Sequence, residues 1–135
     1  GGGGGARRGR AGPKSIECGA GGADRACGAY LRGQGVSYLT AGEDRIDCAL
    51  LLQKLRRLFG IGRVMVAGGG VTNGAFLAAG LLDELSLVVA PVADACAADV
   101  ALFEQTSAPA AFRLLEAKPL DGGALWLRYE RPVDL

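Results

Sequence analysis

Apolar residues along this chain fall into short runs punctuated by glycine, and each run carries its own period. Leu51, Leu52, Leu55, Leu58 and Phe59 recur at three- and four-residue spacing, with Gln53, Lys54, Arg56 and Arg57 between them. That pattern predicts an amphipathic helix with one buried stripe. Asp47 suits its N-cap, and Gly60 ends it after Phe59. Lys54, Arg56 and Arg57 are expected on the solvated face, where cations near the C-terminus suit the helix dipole. Upstream, Val36-Ser37-Tyr38-Leu39 reads as a strand running into the loop Thr40–Asp44. Downstream, Val64-Met65-Val66-Ala67 is apolar throughout, as a strand buried on both faces is. Gly68, Gly69 and Gly70 follow, then a short apolar helix capped by Thr72 or Asn73 and stopped by Gly80.

Leu85 to Ala90 reads as a further strand, halted by Pro91. Strand, helix, strand, helix, strand with short links predicts a parallel sheet with right-handed crossovers. Residues 92–111 read as an irregular loop, with Ala101-Leu102-Phe103 tucked into the core. Phe112 to Lys118 and Ala124 to Glu130 form two strands around Pro119-Leu120-Asp121-Gly122-Gly123, a hairpin signal with glycines for positive φ. In the second of these, Leu125, Leu127 and Tyr129 share one face and Ala124, Trp126 and Arg128 the other. Trp126 is read as packing rather than as a platform for a ligand. The apolar content of this hairpin, at a sheet edge, makes it a candidate homodimer interface. Packing of both faces within one subunit is the equal alternative.

Composition changes the picture at the N-terminus. Thirteen of the 23 glycines fall in residues 1–35, which carry a net charge of +4, against −3 for residues 36–135. Residues 1–22 show no period and are assigned no structure; Asp24 to Arg32 reads as a weak helix ending at Gly33 or Gly35. The expected division is therefore a Gly/Arg-rich tail over 1–35, disordered or from a misassigned gene start, and a folded region over 36–135. The only methionine is Met65 and the chain begins with glycine, so a piece of a longer protein is expected. The basic start lacks any aromatic residue before Tyr30, which leaves nothing to stack on bases, and no specific nucleic-acid partner is expected. Half the residues are hydrophobic, yet no run is long enough to span a bilayer and no signal-peptide pattern opens the chain. A cytoplasmic protein with no membrane contact is expected.

Chemistry is bounded by what is missing. The chain has no histidine, and Cys18, Cys27, Cys48 and Cys96 show no C-x-x-C spacing. Together these facts argue against the common zinc sites and against a histidine triad or histidine base, and no metal is expected. A catalytic role would then draw on a bound cofactor. The stretch Val64–Gly80 suggests where. A glycine turn between strand and helix lets the backbone come close to a phosphate, and the unpaired N–H groups of the helix start face the anion. The dinucleotide fingerprint G-x-G-x-x-G is not met, because Asn73 holds its third position and Gly74 sits one residue late; the P-loop pattern fails as well. A nucleotide-phosphate site of a less common type is the favoured reading, with a plain tight turn as the alternative.

The series VSYLTAGEDRID, FGIGRVMVAGGGVTNGAFLAAGLLDELSLVVAPV and LLEAKPLDGGALWLRY resembles the reductase domain at the C-terminal end of bacterial riboflavin deaminase-reductases. The resemblance covers about residues 36–135, with Asp24 as its alternative start. It implies an α/β fold of the dihydrofolate-reductase-like type. That is a mixed sheet of parallel strands with crossover helices plus a C-terminal antiparallel hairpin, here incomplete. It implies NADPH as cofactor, with Gly68, Gly69, Gly70, Val71, Thr72 and Asn73 lining the pyrophosphate. It also implies a small-molecule substrate, a phosphoribosylamino-pyrimidine whose ribosyl group is reduced to ribityl. Many members carry Glu before the three glycines, at the position abutting nicotinamide and substrate; here that position is Ala67. The family's N-terminal half, with the central strand expected between Val64–Ala67 and Leu85–Ala90, has no counterpart, and no catalytic residue is carried over.

Three readings follow. The first is an NADPH-dependent reductase of the riboflavin-biosynthesis type, acting on 5-amino-6-(5-phosphoribosylamino)uracil. The second is a reductase of the same fold acting on a pterin or another heterocycle. The third is an inactive truncated fragment.

Overall fold

A computed structural model of the chain describes residues 16–19, 30, 32–34, 37–95, 101–105 and 108–133. The chain divides into two compact units, residues 1–64 and 65–135.

In the first unit, strand β1 (Ile16–Gly19) pairs in parallel with β2 (Ser37–Thr40), Ile16 opposite Ser37 and Gly19 opposite Thr40. β1 lies in the stretch expected to be without structure. Its four residues form a strand because β2 offers a backbone partner, which no local pattern in residues 1–22 reveals. Tyr30, Arg32 and Gly33 are helical, and the Gln34 N–H donates to the Tyr30 carbonyl at 3.1 Å. The rest of the helix read at Asp24–Arg32 lies outside the described residues.

Helix α1 (Cys48–Phe59) has the boundaries its sequence predicts. The Asp47 carboxylate accepts from the Leu50 N–H at 2.9 Å, and Gly60 closes the helix at φ 68° with its N–H on the Arg56 carbonyl. Among the described residues, Leu39, Ala41, Cys48, Leu51 and Leu55 are the buried apolar side chains of this unit; each fully buried leucine is worth about 1.5–3 kcal/mol relative to exposure. Lys54 departs from expectation. It is half-buried rather than solvated, and its Nζ donates to the Thr40 carbonyl at 2.6 Å. α1 packs beside β2, so the lysine stem lies along apolar surface while its ammonium satisfies the last carbonyl of the strand.

The second unit holds helix α2 (Gly70–Ala78) and an antiparallel sheet of β3 (Glu84–Val89), β4 (Arg113–Pro119) and β5 (Leu125–Glu130), in the order β3-β5-β4. β4 and β5 are joined by a 3₁₀ turn over Asp121–Gly123, where Gly122 and Gly123 take φ of 79° and 82°. The hairpin and its positive-φ glycines are as the sequence predicts. Leu115 is an extra residue between the paired Leu114 and Glu116, a β-bulge in β4.

Of the strands expected in a parallel sheet, the one at Leu85–Ala90 forms, as β3, but in antiparallel pairing, and the one at Val64–Ala67, expected to be buried on both faces, does not form. Residues 61–69 take no regular structure, and Met65 is 88% exposed. A strand exists only through a neighbour's hydrogen bonds, and no described strand runs beside this stretch. β3 instead pairs antiparallel with β5, Leu85 opposite Tyr129 and Leu87 opposite Leu127. Along Glu84-Leu85-Ser86-Leu87 exposed polar and half-buried apolar residues alternate, as suits a strand with one wetter face, and Val88 and Val89 are both exposed. Glu84 and Ser86 share a face with Trp126 and Arg128. There the Trp126 indole N–H donates to Ser86 Oγ at 2.8 Å, and Arg128 lies 5.8 Å from the indole centroid while reaching Glu84 and Glu116 at 3.3 and 3.4 Å. Trp126 is thus engaged within the sheet by the Ser86 hydroxyl and the Arg128 guanidinium.

Candidate functional site

Helix α2 opens on the glycine run. Gly69 is its N-cap, with φ −58° and ψ 174°, and no side chain caps the helix. Thr72 and Asn73 lie inside the first turn rather than at the cap. The Asn73 N–H donates to the Gly69 carbonyl at 3.0 Å, and the Asn73 side chain turns elsewhere. The first-turn N–H groups of Gly70, Val71 and Thr72 thus have neither intrahelical partners nor a capping side chain, and no acidic residue sits in that turn. This is the arrangement that favours an anion.

The two sides of this helix start differ. On one side, Gly69 is exposed, and a Cβ added to it would meet nothing within 4 Å. Gly68 is exposed too and borders the Thr72 side chain, 3.3 Å from the place of its absent Cβ; Val71 and Thr72 are exposed. On the other side, Gly70 and Gly74 are buried, one helical turn apart. A Cβ on Gly70 would lie 2.3 Å from the Ala101 carbonyl oxygen, and one on Gly74 would lie 1.8 Å from that of Glu104. Residues 101–105 therefore pass across this glycine face as a strap. The Glu104 N–H donates to the Gly70 carbonyl at 2.9 Å and the Asn73 side-chain amide to the Leu102 carbonyl at 3.1 Å. Ala101-Leu102-Phe103 was expected to insert side chains into the core. Only Phe103 is half-buried, and Leu102 is 50% exposed. It is the backbone that docks, because the helix presents no side chain there.

The far end of α2 is fixed as well. Gly80 takes φ 70°, its N–H donates to the Leu77 carbonyl, and the Leu81 N–H donates to the Phe76 carbonyl, both at 3.0 Å. These two bonds form a Schellman closure. The Arg131 guanidinium donates to the Gly80 carbonyl, and the Arg131 N–H to that of Asp83 at 2.8 Å.

Of the residues singled out in the sequence, Gly68 to Asn73 thus form one continuous helix start, and Ala67 precedes it as an exposed residue in the irregular stretch. Sequence reasoning missed Gly74, Leu102 and Glu104. The signal that could have found Gly74 is its four-residue spacing from Gly70; nothing local points to the strap. No cluster of metal-ligating side chains occurs among the described residues, and no described helix is long and apolar enough to cross a membrane. Cys48, in the first unit, is a free thiol whose pKa is raised, by burial first and the Asp47 charge second. Cys27 and Cys96 lie outside the described residues.

A cofactor bearing a diphosphate fits the open side of this helix start on its own geometry: uncapped donors, no acid within the first turn itself, and open space at Gly69, with the Glu104 carboxylate on the opposite, Gly70 side. The chain is an α/β protein whose second unit carries a glycine-opened helix. It belongs to the RibD C-terminal domain family, whose profile matches residues 23–125. That match begins within the Gly/Arg-rich residues 1–35. Over 54 residues the chain is 41% identical to a 2,5-diamino-6-ribosylamino-4(3H)-pyrimidinone 5′-phosphate reductase of Methanothermobacter thermautotrophicus, covering 40% of this chain and 24% of the relative. Among solved structures it is similar to Acinetobacter baumannii RibD, with TM-score 0.65 and 29% identity over 76% of this chain and 28% of that one. A pyrimidine reductase-like protein of Corynebacterium diphtheriae shares the fold, with TM-score 0.69 and 17% identity over 88% of this chain and 50% of that one. The chain thus spans about a quarter of the lengths of the archaeal reductase and of Acinetobacter RibD.

Proposed function

We propose that this chain is the cofactor-binding part of an NADPH-dependent reductase of riboflavin biosynthesis. Its substrate is 5-amino-6-(5-phosphoribosylamino)uracil or the closely related diamino-pyrimidinone phosphate, whose ribosyl group is reduced to ribityl. The observation that carries this reading is the family match over residues 23–125, which spans the glycine-opened helix. The relative's identity as a pyrimidinone phosphate reductase supports the substrate class. When bound, NADPH supplies the hydride.

The chain's own part is binding. Backbone N–H groups of the Gly68–Asn73 loop hold the pyrophosphate, each charge-assisted bond worth about 1.5–3 kcal/mol. Gly69 keeps the approach clear, and Ala67 lies on the substrate side. The dihydrofolate-reductase-like arrangement, a cytoplasmic location and a homodimer through the β4–β5 hairpin belong to the same proposal. Leu85, Leu87, Leu127 and Tyr129 share one face of the sheet there.

The test is NADPH titration by fluorescence, followed by NADPH oxidation with the phosphoribosylamino-pyrimidine and with dihydropterin as the competing substrate. Saturable NADPH binding with a preference for the pyrimidine supports the proposal. A folded protein that fails to bind NADPH refutes it, and turnover of the pterin alone reassigns the substrate. Light scattering at micromolar concentration decides the dimer.

A further inference from the structure

Helix α2 has only nine residues, too few to hold its own conformation or direction in water. Among the described residues, the hydrogen bonds that tie it to later chain are the strap at its start and Arg131 at its end. The strap reaches the helix along a seam that only glycine permits. Gly70 and Gly74 bring the backbone of Ala101 and Glu104 to distances that a methyl group would forbid. Gln105, next to this docking, takes φ 57°. The half-buried Glu104 carboxylate folds over Gly70, its Oε1 2.7 Å from where a Cβ would stand.

We propose that the strap Ala101–Gln105 is a positioning element for the cofactor: docked on Gly70 and Gly74, it sets the direction in which the first-turn N–H groups of α2 point. The inference rests on the reading of Gly68–Asn73 as the pyrophosphate loop and adds residues that touch no phosphate. The loop's donors are backbone groups, so their aim is the aim of the helix. A helix that tilts by a fraction of an ångström loses alignment at all of them together. Strap docking and cofactor binding are then coupled and reciprocal. The Glu104 amide, bonded to the Gly70 carbonyl, reports docking directly.

The experiment is hydrogen exchange at the Leu102–Gln105 amides together with NADPH titration, on the unsubstituted protein and on Gly74→Ala. Gly74 lies outside the pyrophosphate loop, and the added methyl pushes the strap away. Exchange of the Glu104 amide is expected to accelerate at least about tenfold, with NADPH affinity falling about five- to fiftyfold. In the unsubstituted protein, saturating NADPH is expected to slow strap exchange further, which a merely structural strap would not show. If Gly74→Ala loses its cooperative melt, Glu104→Pro takes its place, read at the Phe103 and Gln105 amides, since it removes the N–H bonded to the Gly70 carbonyl and leaves every residue of the pyrophosphate loop unchanged. NADPH affinity unchanged within twofold while the strap is deprotected overturns the inference and leaves the cofactor reading standing. So does strap exchange that NADPH does not alter. No NADPH binding by the folded, unsubstituted protein refutes the cofactor reading, and the inference falls with it.

Discussion

Gly69→Asp separates stability from binding with opposite signs. Gly69 has φ −58° and ψ 174°, backbone that any residue adopts, and an added Cβ meets nothing within 4 Å. As the N-cap of a helix without a side-chain cap, it gains from a carboxylate. The Asp side chain caps for a few tenths of a kcal/mol over Gly. Its charge suits the helix N-terminus by about 0.3–1 kcal/mol, and loss of glycine's freedom in the unfolded chain adds about 0.4–1 kcal/mol. The substituted protein is expected to be about 1–2 kcal/mol more stable, a rise of several degrees in its thermal midpoint. Binding moves the other way. Two unit charges about 4 Å apart repel by about 1 kcal/mol in water and about 4 kcal/mol at an effective dielectric of 20. The exposure of Gly69 places the effect toward the lower figure. The new carboxylate also takes a first-turn N–H that the pyrophosphate would use, a loss of about 1.5–3 kcal/mol. NADPH affinity is expected to fall tenfold or more, with Gly69→Ala intermediate. The paired measurements are a circular-dichroism melt and an NADPH fluorescence titration. A stable Gly69→Asp protein that binds NADPH as tightly as before would refute the assignment of the loop.

Two further outcomes follow from the first unit. Gly60→Ala is expected to cost about 1–2 kcal/mol in urea unfolding, because Gly60 sits at φ 68° with open space around it, so the cost is wholly that of a left-handed backbone. A measured cost near zero contradicts the cap. Cys48 gives a pH dependence: its folded pKa is raised, chiefly by burial, so the neutral thiol is the folded form and its stabilisation is complete below the ordinary thiol value of about 8.5. Above that value the unfolded chain releases the proton first, and stability declines until the folded pKa is passed. Comparison of melts at alkaline pH with Cys48→Ala, which has no proton to lose, is expected to show a shallower decline in the variant. Parallel slopes would contradict the assignment.

The relation between sequence and structure divides along the range of the interactions. Helix α1 was legible from Asp47 to Gly60, and the hairpin turn from Gly122 and Gly123, because caps and tight turns close their hydrogen bonds within a few residues. The glycine run was legible as the start of a helix for the same reason. The choice of cap was not: Gly69 takes that place, and the Asn73 side chain is drawn to Leu102, 29 residues on.

Pairing was decided by tertiary structure. Val64–Ala67 has the composition of a buried strand yet forms none, because apolar side chains supply no backbone partner. The short run Ile16–Gly19 has no marked pattern yet forms β1, because β2 lies alongside. Lys54 belongs to the charged face by period and to the end of β2 by contact. The candidate site divides in the same way. Its open side, Gly68, Gly69, Val71 and Thr72, is written within one short run of residues. Its closed side exists only where folding lays the backbone of Ala101 and Glu104 on Gly70 and Gly74, and no spacing within one element encodes a contact between two.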